Sequence, residues 1–237
     1  MASSGITSEP LPLVLNSSSP PPPLFDGTTR LYISYACPYA QRVWIIRNCK
    51  GLQSKIELVP IDLMDRPSWY KEKVYPTNKV PSLEHNNEVK GESLDLMKFV
   101  NSNFDGPSLY PEDPQRQEFA EELLSYSNTL SSEVMCLFKG EANEADAAFD
   151  FIETSLSKFV DGPFFLGQFS LVDIAYAPFF ERYVPLLLEL KQYDIVSGRP
   201  NITHWMEEMD KNECYAVTKR KPEEHVEYYK KRFAVKV

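Results

Sequence analysis

Apolar and polar positions change their spacing part-way along this chain. From about residue 24 to residue 104, short apolar runs alternate with helix-like stretches; further on the spacing is helical to the end. Residues 29–36, 55–63 (KIELVPIDL) and 79–84 read as strands, and 88–90 as a short return strand after the Asn86-Asn87 turn. Between them, 38–50 reads as a helix that stops at Gly51, and 67–74 as a short helix. Residues 93–103 read as a helix with Leu94, Met97 and Val100 apolar.

The order β-α-β-α-β-β-α over 24–104 is that of a thioredoxin-like α/β domain. A breaker-rich stretch at 105–113, with Gly106, Pro107 and Pro111, reads as a linker. Residues 114–237 predict an all-helical domain, with helix spacing at 119–138 and 149–159 and short helices at 203–210 and 223–232. Ser170-Leu171-Val172-Asp173 precedes the apolar run IAYAPFF as a capping-box-like start, with Asp in place of the usual Glu. Residues 1–23 are rich in Ser and Pro and end in four prolines, which predicts a disordered or extended lead-in.

Composition narrows the functional classes. The chain has 237 residues, 43% of them hydrophobic, enough for a sizeable core. Its net charge of −9 argues against nucleic acid or an anionic membrane as partner. No apolar run approaches the ~20 residues of a membrane-spanning helix. Cys37, Cys49, Cys136 and Cys214 are widely spread, without CxxC pairs or metal-type clusters with His, so neither a disulfide framework nor a metal site is expected. The lead-in lacks the basic start and long apolar stretch of a secretory signal. A reducing, cytoplasmic location is expected. The three histidines are scattered. Tyr176, Phe179, Phe180 and Tyr183 stand at helix spacing, which suits core packing first and a hydrophobic acceptor site second.

Candidate chemistry begins at Cys37-Pro38-Tyr39-Ala40, between the first strand and the first helix. A cysteine at a helix start meets converging N–H groups and the helix dipole, so its thiol should ionise more readily than a free one. Pro38 suits the first helical position. The alternative is a buried thiol packing a strand end, and these residues alone do not choose between the two. Glu92-Ser93 opens a later helix: Ser93 reads either as an N-cap or as part of an anion site, with Glu92 able to hold an ammonium. The pair suits an α-amino acid head group. Only about 5–6% of X-Pro bonds are cis, so spacing alone makes Val80-Pro81 trans.

Taken in order, Cys37-Pro38-Tyr39-Ala40, Lys79-Val80-Pro81, Gly91-Glu92-Ser93 and Phe169-Ser170-Leu171-Val172-Asp173 resemble a soluble glutathione transferase of the cysteine type. The stretches LFDGTTRLYISYACPYAQRVWI and GESLDLMKFV resemble the plant lambda class most, with the omega class next. The resemblance covers residue 24 to the C-terminus. It departs at Tyr39, where many relatives have Phe, and in the Pro-rich lead-in. It implies a thioredoxin-like domain and a helical domain with glutathione at their junction. It also implies a cis Val80-Pro81 bond, against the reading from spacing. Val80 then offers N–H and C=O to the cysteinyl unit of glutathione, beside Pro81, as an added strand would. Glu92 and Ser93 hold the γ-glutamyl end, while Arg66 and Lys79 are candidates for the glycyl carboxylate.

The resemblance implies an enzyme whose Cys37 takes part in thiol–disulfide exchange, removing glutathione from small molecules such as flavonols, with possible dehydroascorbate reduction. Ala40 stands where dithiol relatives have a second cysteine, and Cys49 lies about 18 Å along one helix, so a monothiol mechanism is expected. Two alternatives are a conjugating transferase using Tyr32 or Tyr35, and a non-enzymatic flavonoid carrier. Both tyrosines precede Cys37, which counts against the first. The resemblance to the lambda class also implies a monomer.

Overall fold

The computed structural model describes residues 9–141 and 144–234 and divides into two compact units, 1–108 and 109–237. The break falls inside the stretch expected to be a linker.

The first unit is built on a four-stranded mixed sheet in the order β2-β1-β3-β4, with β1 Arg30–Ile33, β2 Glu57–Pro60, β3 Ser82–His85 and β4 Glu88–Lys90. The β1 strand pairs parallel with β2 and antiparallel with β3, and β3 pairs antiparallel with β4. Helix α1, Pro38–Cys49, makes the crossover, and α2, Ser93–Asn103, packs along it. The expected order of elements is the observed one; β1, β2 and β3 are shorter than the stretches that predicted them, and β4 spans the expected residues. Between β2 and β3 the short helix is a single π-helical turn, Tyr70–Val74.

Both faces of β1 are buried, which is why its apolar run is continuous rather than alternating. The face that carries Arg30 and Tyr32 is not apolar. Arg30 forms an ion pair with the buried Glu84 (3.2 Å), and the Tyr32 hydroxyl donates to the same carboxylate (2.7 Å). Helix α1 is buried on nearly every side and includes the cations Arg42 and Arg47. A buried cation needs partners. Arg47 finds them in the carbonyls of Ile56 (2.7 Å) and Gln53 (3.0 Å) and in the carboxylate of Glu9 (2.7 and 2.9 Å).

That last contact bears on the lead-in, read from the sequence as disordered or extended. Residues 1–8 lie outside the described residues, but from Glu9 onward the segment is tied down. Leu15 forms a parallel bridge with Ile61, its N–H donating to the Pro60 carbonyl (2.8 Å) and its own carbonyl accepting from Asp62 (2.9 Å). The Tyr35 hydroxyl donates to the Pro12 carbonyl (2.9 Å), and the Trp69 indole donates to the Ser19 carbonyl (2.9 Å). A Pro-rich segment cannot build its own core, but it can use backbone groups offered by a neighbouring sheet.

The second unit is helical: α3 Pro114–Lys139, α4 Ala145–Ser155, α5 Leu171–Lys191, α6 Pro200–Asp210, α7 Glu213–Ala216 and α8 Pro222–Ala234. Helix α5 lies at its centre, packed against α3, α6 and α8. Tyr176, Phe179, Phe180 and Tyr183 are all buried, the core role expected of them. The capping box is present: Ser170 Oγ accepts from Val172 N (3.2 Å), and Asp173 accepts from Ser170 N (2.9 Å). Asp173 is fully buried and also accepts from Phe165 N (3.2 Å) and the Trp205 indole of α6 (2.9 Å). Burial pushes its carboxyl up to about 6, while these contacts and the one from Ser170 Oγ (2.9 Å) pull the other way.

Candidate active site

Cys37 is the N-cap of α1, with extended backbone (φ −93°, ψ 117°), and Pro38 occupies the first helical position. The chain reverses tightly there: Cys37 N donates to Ser34 O (3.0 Å), and Gln41 N donates to Cys37 O (3.1 Å). The thiol is buried, and its sulfur donates to the Val80 carbonyl at 3.8 Å. No disulfide involves any of the four cysteines. Ala40 is buried in the next turn, and Cys49 closes the same unbroken twelve-residue helix.

The Val80-Pro81 bond is cis, as the resemblance implies and against the reading from spacing alone. Behind it, the Tyr70 hydroxyl donates to the Lys79 carbonyl (2.6 Å) and accepts from Ser82 Oγ (2.8 Å). Arg66 donates to the carbonyls of Leu63 (3.4 Å) and Asn78, so it braces the loop that delivers Lys79 and Val80. Lys79 itself is exposed. The Val80 N–H has no acceptor among the described residues, which leaves it available to an added strand.

Glu92 and Ser93 lie at the start of α2. Glu92 is exposed and has φ 64°, a left-handed conformation that a non-glycine residue adopts at a cost and that clusters at binding sites. Gly91 before it leaves room for Tyr75: a Cβ there would stand 1.9 Å from the Tyr75 hydroxyl. Ser93 is not the N-cap that its position in the sequence suggested. Glu92 is the cap residue, with no side-chain capping bond, and Ser93 is the first helical residue. Its oxygen instead accepts from Arg42 at 3.0 Å.

The structure therefore brings Cys37, Val80 and Pro81 into one corner and sets Glu92 and Ser93 at a helix start tied to α1. Arg42, Tyr70 and Tyr75 were not singled out in the sequence. Arg42 carried one weak signal, a charge inside an otherwise buried helix. Tyr70 and Tyr75 carried none, because their partners lie in later segments. The two tyrosines proposed for conjugation are otherwise engaged: Tyr32 through Glu84 and Tyr35 through Pro12, with burial pushing the Tyr35 hydroxyl up to about 12. Among the described residues no group of His, Cys, Asp and Glu could hold a metal ion, and no helix is long and apolar enough to cross a membrane.

Comparison with known proteins agrees with this geometry. Residues 31–108 match the family model described as glutathione S-transferase, N-terminal domain, and residues 137–208 match the glutathione S-transferase C-terminal domain. The chain is 61% identical to glutathione S-transferase L2, chloroplastic, of Arabidopsis thaliana, over 92% of this chain and 75% of that one. It is 56% identical to glutathione S-transferase L3 of the same plant, over 98% of this chain and 100% of the relative. Among solved structures, glutathione transferase Omega 2C from Trametes versicolor superposes with a TM-score of 0.76 at 25% identity, covering 87% of this chain and 99% of that one. With a thioredoxin-like first unit, a helical second unit and relatives this close, the chain belongs to the glutathione transferase family, within its lambda class.

Proposed function

We propose that this protein is a glutathione-dependent thiol transferase that removes glutathione from small molecules by monothiol exchange at Cys37. One observation carries the reading: a cysteine, not a hydroxyl, caps α1 beside the cis Val80-Pro81 bond, with Ala40 where a second thiol would stand. In the first step the Cys37 thiolate attacks the glutathionyl sulfur of a mixed disulfide. The Cys37–glutathione bond forms, the old S–S bond breaks, and the substrate leaves as a thiolate that takes up a proton. In the second step a glutathione thiolate attacks the bound glutathione, giving glutathione disulfide and restoring the Cys37 thiolate. Both electrons come from glutathione.

In this reading Val80 pairs with the cysteinyl unit, Glu92 and Ser93 take the γ-glutamyl end, and Lys79 faces the glycyl carboxylate with Arg66 holding its loop. Flavonols, which the lambda resemblance implies, remain the candidate acceptors; with a flavonol adduct the same attack on the glutathionyl sulfur breaks a C–S bond, and the ring carbon that leaves with the electron pair takes up a proton. The location is cytosolic. The test is Cys37→Ser, assayed with a mixed disulfide of glutathione and a small thiol. The expected result is loss of exchange; retained exchange would overturn the reading.

A carrier role has one observation in its favour. The helical unit holds an apolar pocket of about 290 Å³ lined by Phe180, Val184, Leu188, Trp205 and Met209. A carrier would keep its affinity for an apolar ligand in Cys37→Ser and show no turnover in the parent protein.

A further inference from the structure

We propose that Arg42 is a positioning residue for glutathione, holding the Ser93 oxygen from beneath so that the Ser93 hydroxyl presents its proton to the α-carboxylate of the γ-glutamyl unit. The inference rests on the reading that Glu92 and Ser93 receive that end of the tripeptide.

The argument starts from Ser93. A serine hydroxyl has one proton to donate and two lone pairs that accept. Ser93 is only 8% exposed, so the proton has little access to bulk water. One lone pair accepts from Arg42 Nη1 at 3.0 Å. The hydroxyl caps no helix N–H and, among the described residues, donates to no acceptor. A guanidinium has no acceptor of its own, so the direction of the Arg42–Ser93 bond is fixed and the hydroxyl proton must point elsewhere. What lies near it suits an anion. Ser93, Leu94 and Asp95 N–H precede the first helical hydrogen bond, Leu96 N to Glu92 O at 2.9 Å, and the positive end of the α2 dipole lies there. A carboxylate placed there accepts the Ser93 proton and has the Arg42 charge one layer below it.

Arg42 also joins the two halves of the site. It stands on α1, five positions after Cys37, and its guanidinium carbon is 5.4 Å from the centroid of the Tyr39 ring of the Cys37-Pro38-Tyr39-Ala40 turn. It is 1% exposed, so its rotamer is held by packing. A lysine would keep the charge but not the fixed fork of donors.

The experiment uses the full chain with Cys37 reduced, and follows modification of Cys37 by three disulfides over a range of concentrations: glutathione disulfide, cysteinylglycine disulfide, which lacks the γ-glutamyl unit, and 2-hydroxyethyl disulfide. Arg42→Gln is expected to raise the half-saturating concentration of glutathione disulfide roughly tenfold, about 1.4 kcal/mol, and to change the limiting rate and the rates with the other two disulfides by less than about twofold. Arg42→Lys should fall between. Ser93→Ala should show the same dependence on the disulfide, and the double variant should be no worse than Ser93→Ala, because Arg42 acts through that hydroxyl. If Arg42→Gln does not fold, Arg42→Lys completes the same cycle.

Equal losses with all three disulfides, independent additive losses in the double variant, or no change in the half-saturating concentration of glutathione disulfide would each overturn the assignment. If the parent protein itself shows no saturation with glutathione disulfide, the reading of the Glu92-Ser93 subsite is what fails.

Discussion

The Cys37 sulfur and the Val80 carbonyl oxygen, 43 residues apart in the chain, meet at 3.8 Å. Within the first unit the other cysteine, Cys49, closes the opposite end of α1. Exposure to glutathione disulfide is therefore expected to add one glutathione at Cys37 and to form no intramolecular bridge with Cys49, which sits at the far end of α1. Intact mass and peptide mapping would show this, and a Cys37–Cys49 peptide would refute the monothiol mechanism.

Glu9 sits opposite the fully buried Arg47. Removing its carboxylate leaves a buried cation dependent on neutral carbonyl partners. Glu9→Ala is expected to lower stability by roughly 1–3 kcal/mol, less than the loss of a fully buried pair, because Glu9 is partly exposed. Urea unfolding measures it. An unchanged midpoint would mean that the Glu9–Arg47 pair adds nothing to the first unit's stability.

Asp173 joins the start of α5 to α6 and to the loop before it. Asp173→Ala deprives the buried Trp205 indole and the Phe165 and Ser170 N–H groups of their acceptor. A loss of at least about 3 kcal/mol is expected, well beyond the ~1 kcal/mol of a simple cap. Asp173→Asn, which keeps one acceptor oxygen, should lose less. Equal effects from the two variants would show that the carboxylate is not what matters.

His225 on α8 is buried against Glu181 (2.7 Å), with Arg182 on the same helix as Glu181 and Arg220 just ahead of α8. Burial, reinforced by the two arginines, pulls the imidazole below its ordinary value although Glu181 opposes this. The unfolded chain then binds the proton more readily than the folded one. Stability should be fully present above about pH 6.5 and fall on acidification below it. Asp173, raised in the folded state, works in the opposite sense between about pH 4 and 6, so the two effects must be separated by variants. Melting temperatures between pH 5 and 8 for the parent and His225→Gln should differ in slope on the acid side. Parallel curves would exclude His225 as a source of acid sensitivity.

A monomeric state is the remaining expectation. With a net charge of −9, like subunits repel over the ~8 Å that physiological salt leaves unscreened. Light scattering at micromolar concentration should give a mass near 27.2 kDa. A mass near twice that value would show a dimer.

The chain's own pattern determined the order of elements in the first unit, the helical second unit and the position of Cys37 at a strand-to-helix turn. These follow from local periodicity and turn chemistry. The Ser170–Asp173 box was legible for the same reason, since both partners lie within one turn. Tertiary structure decided what depends on partners far along the chain. Charges in α1 look solvated in a sequence, yet Arg42 finds Ser93 and Arg47 finds Glu9, 51 and 38 residues away. Ser93 had the residue type and place of an N-cap, and only the approach of Arg42 showed its oxygen to be held elsewhere. The isomer of Val80-Pro81 was equally beyond spacing, because the local preference for trans is small beside what surrounding contacts can impose. The lead-in reads as disordered or extended from its composition, which measures whether a segment can bury its own core. It does not measure whether a neighbouring sheet edge will accept its backbone, and that is what holds Leu15 beside Ile61.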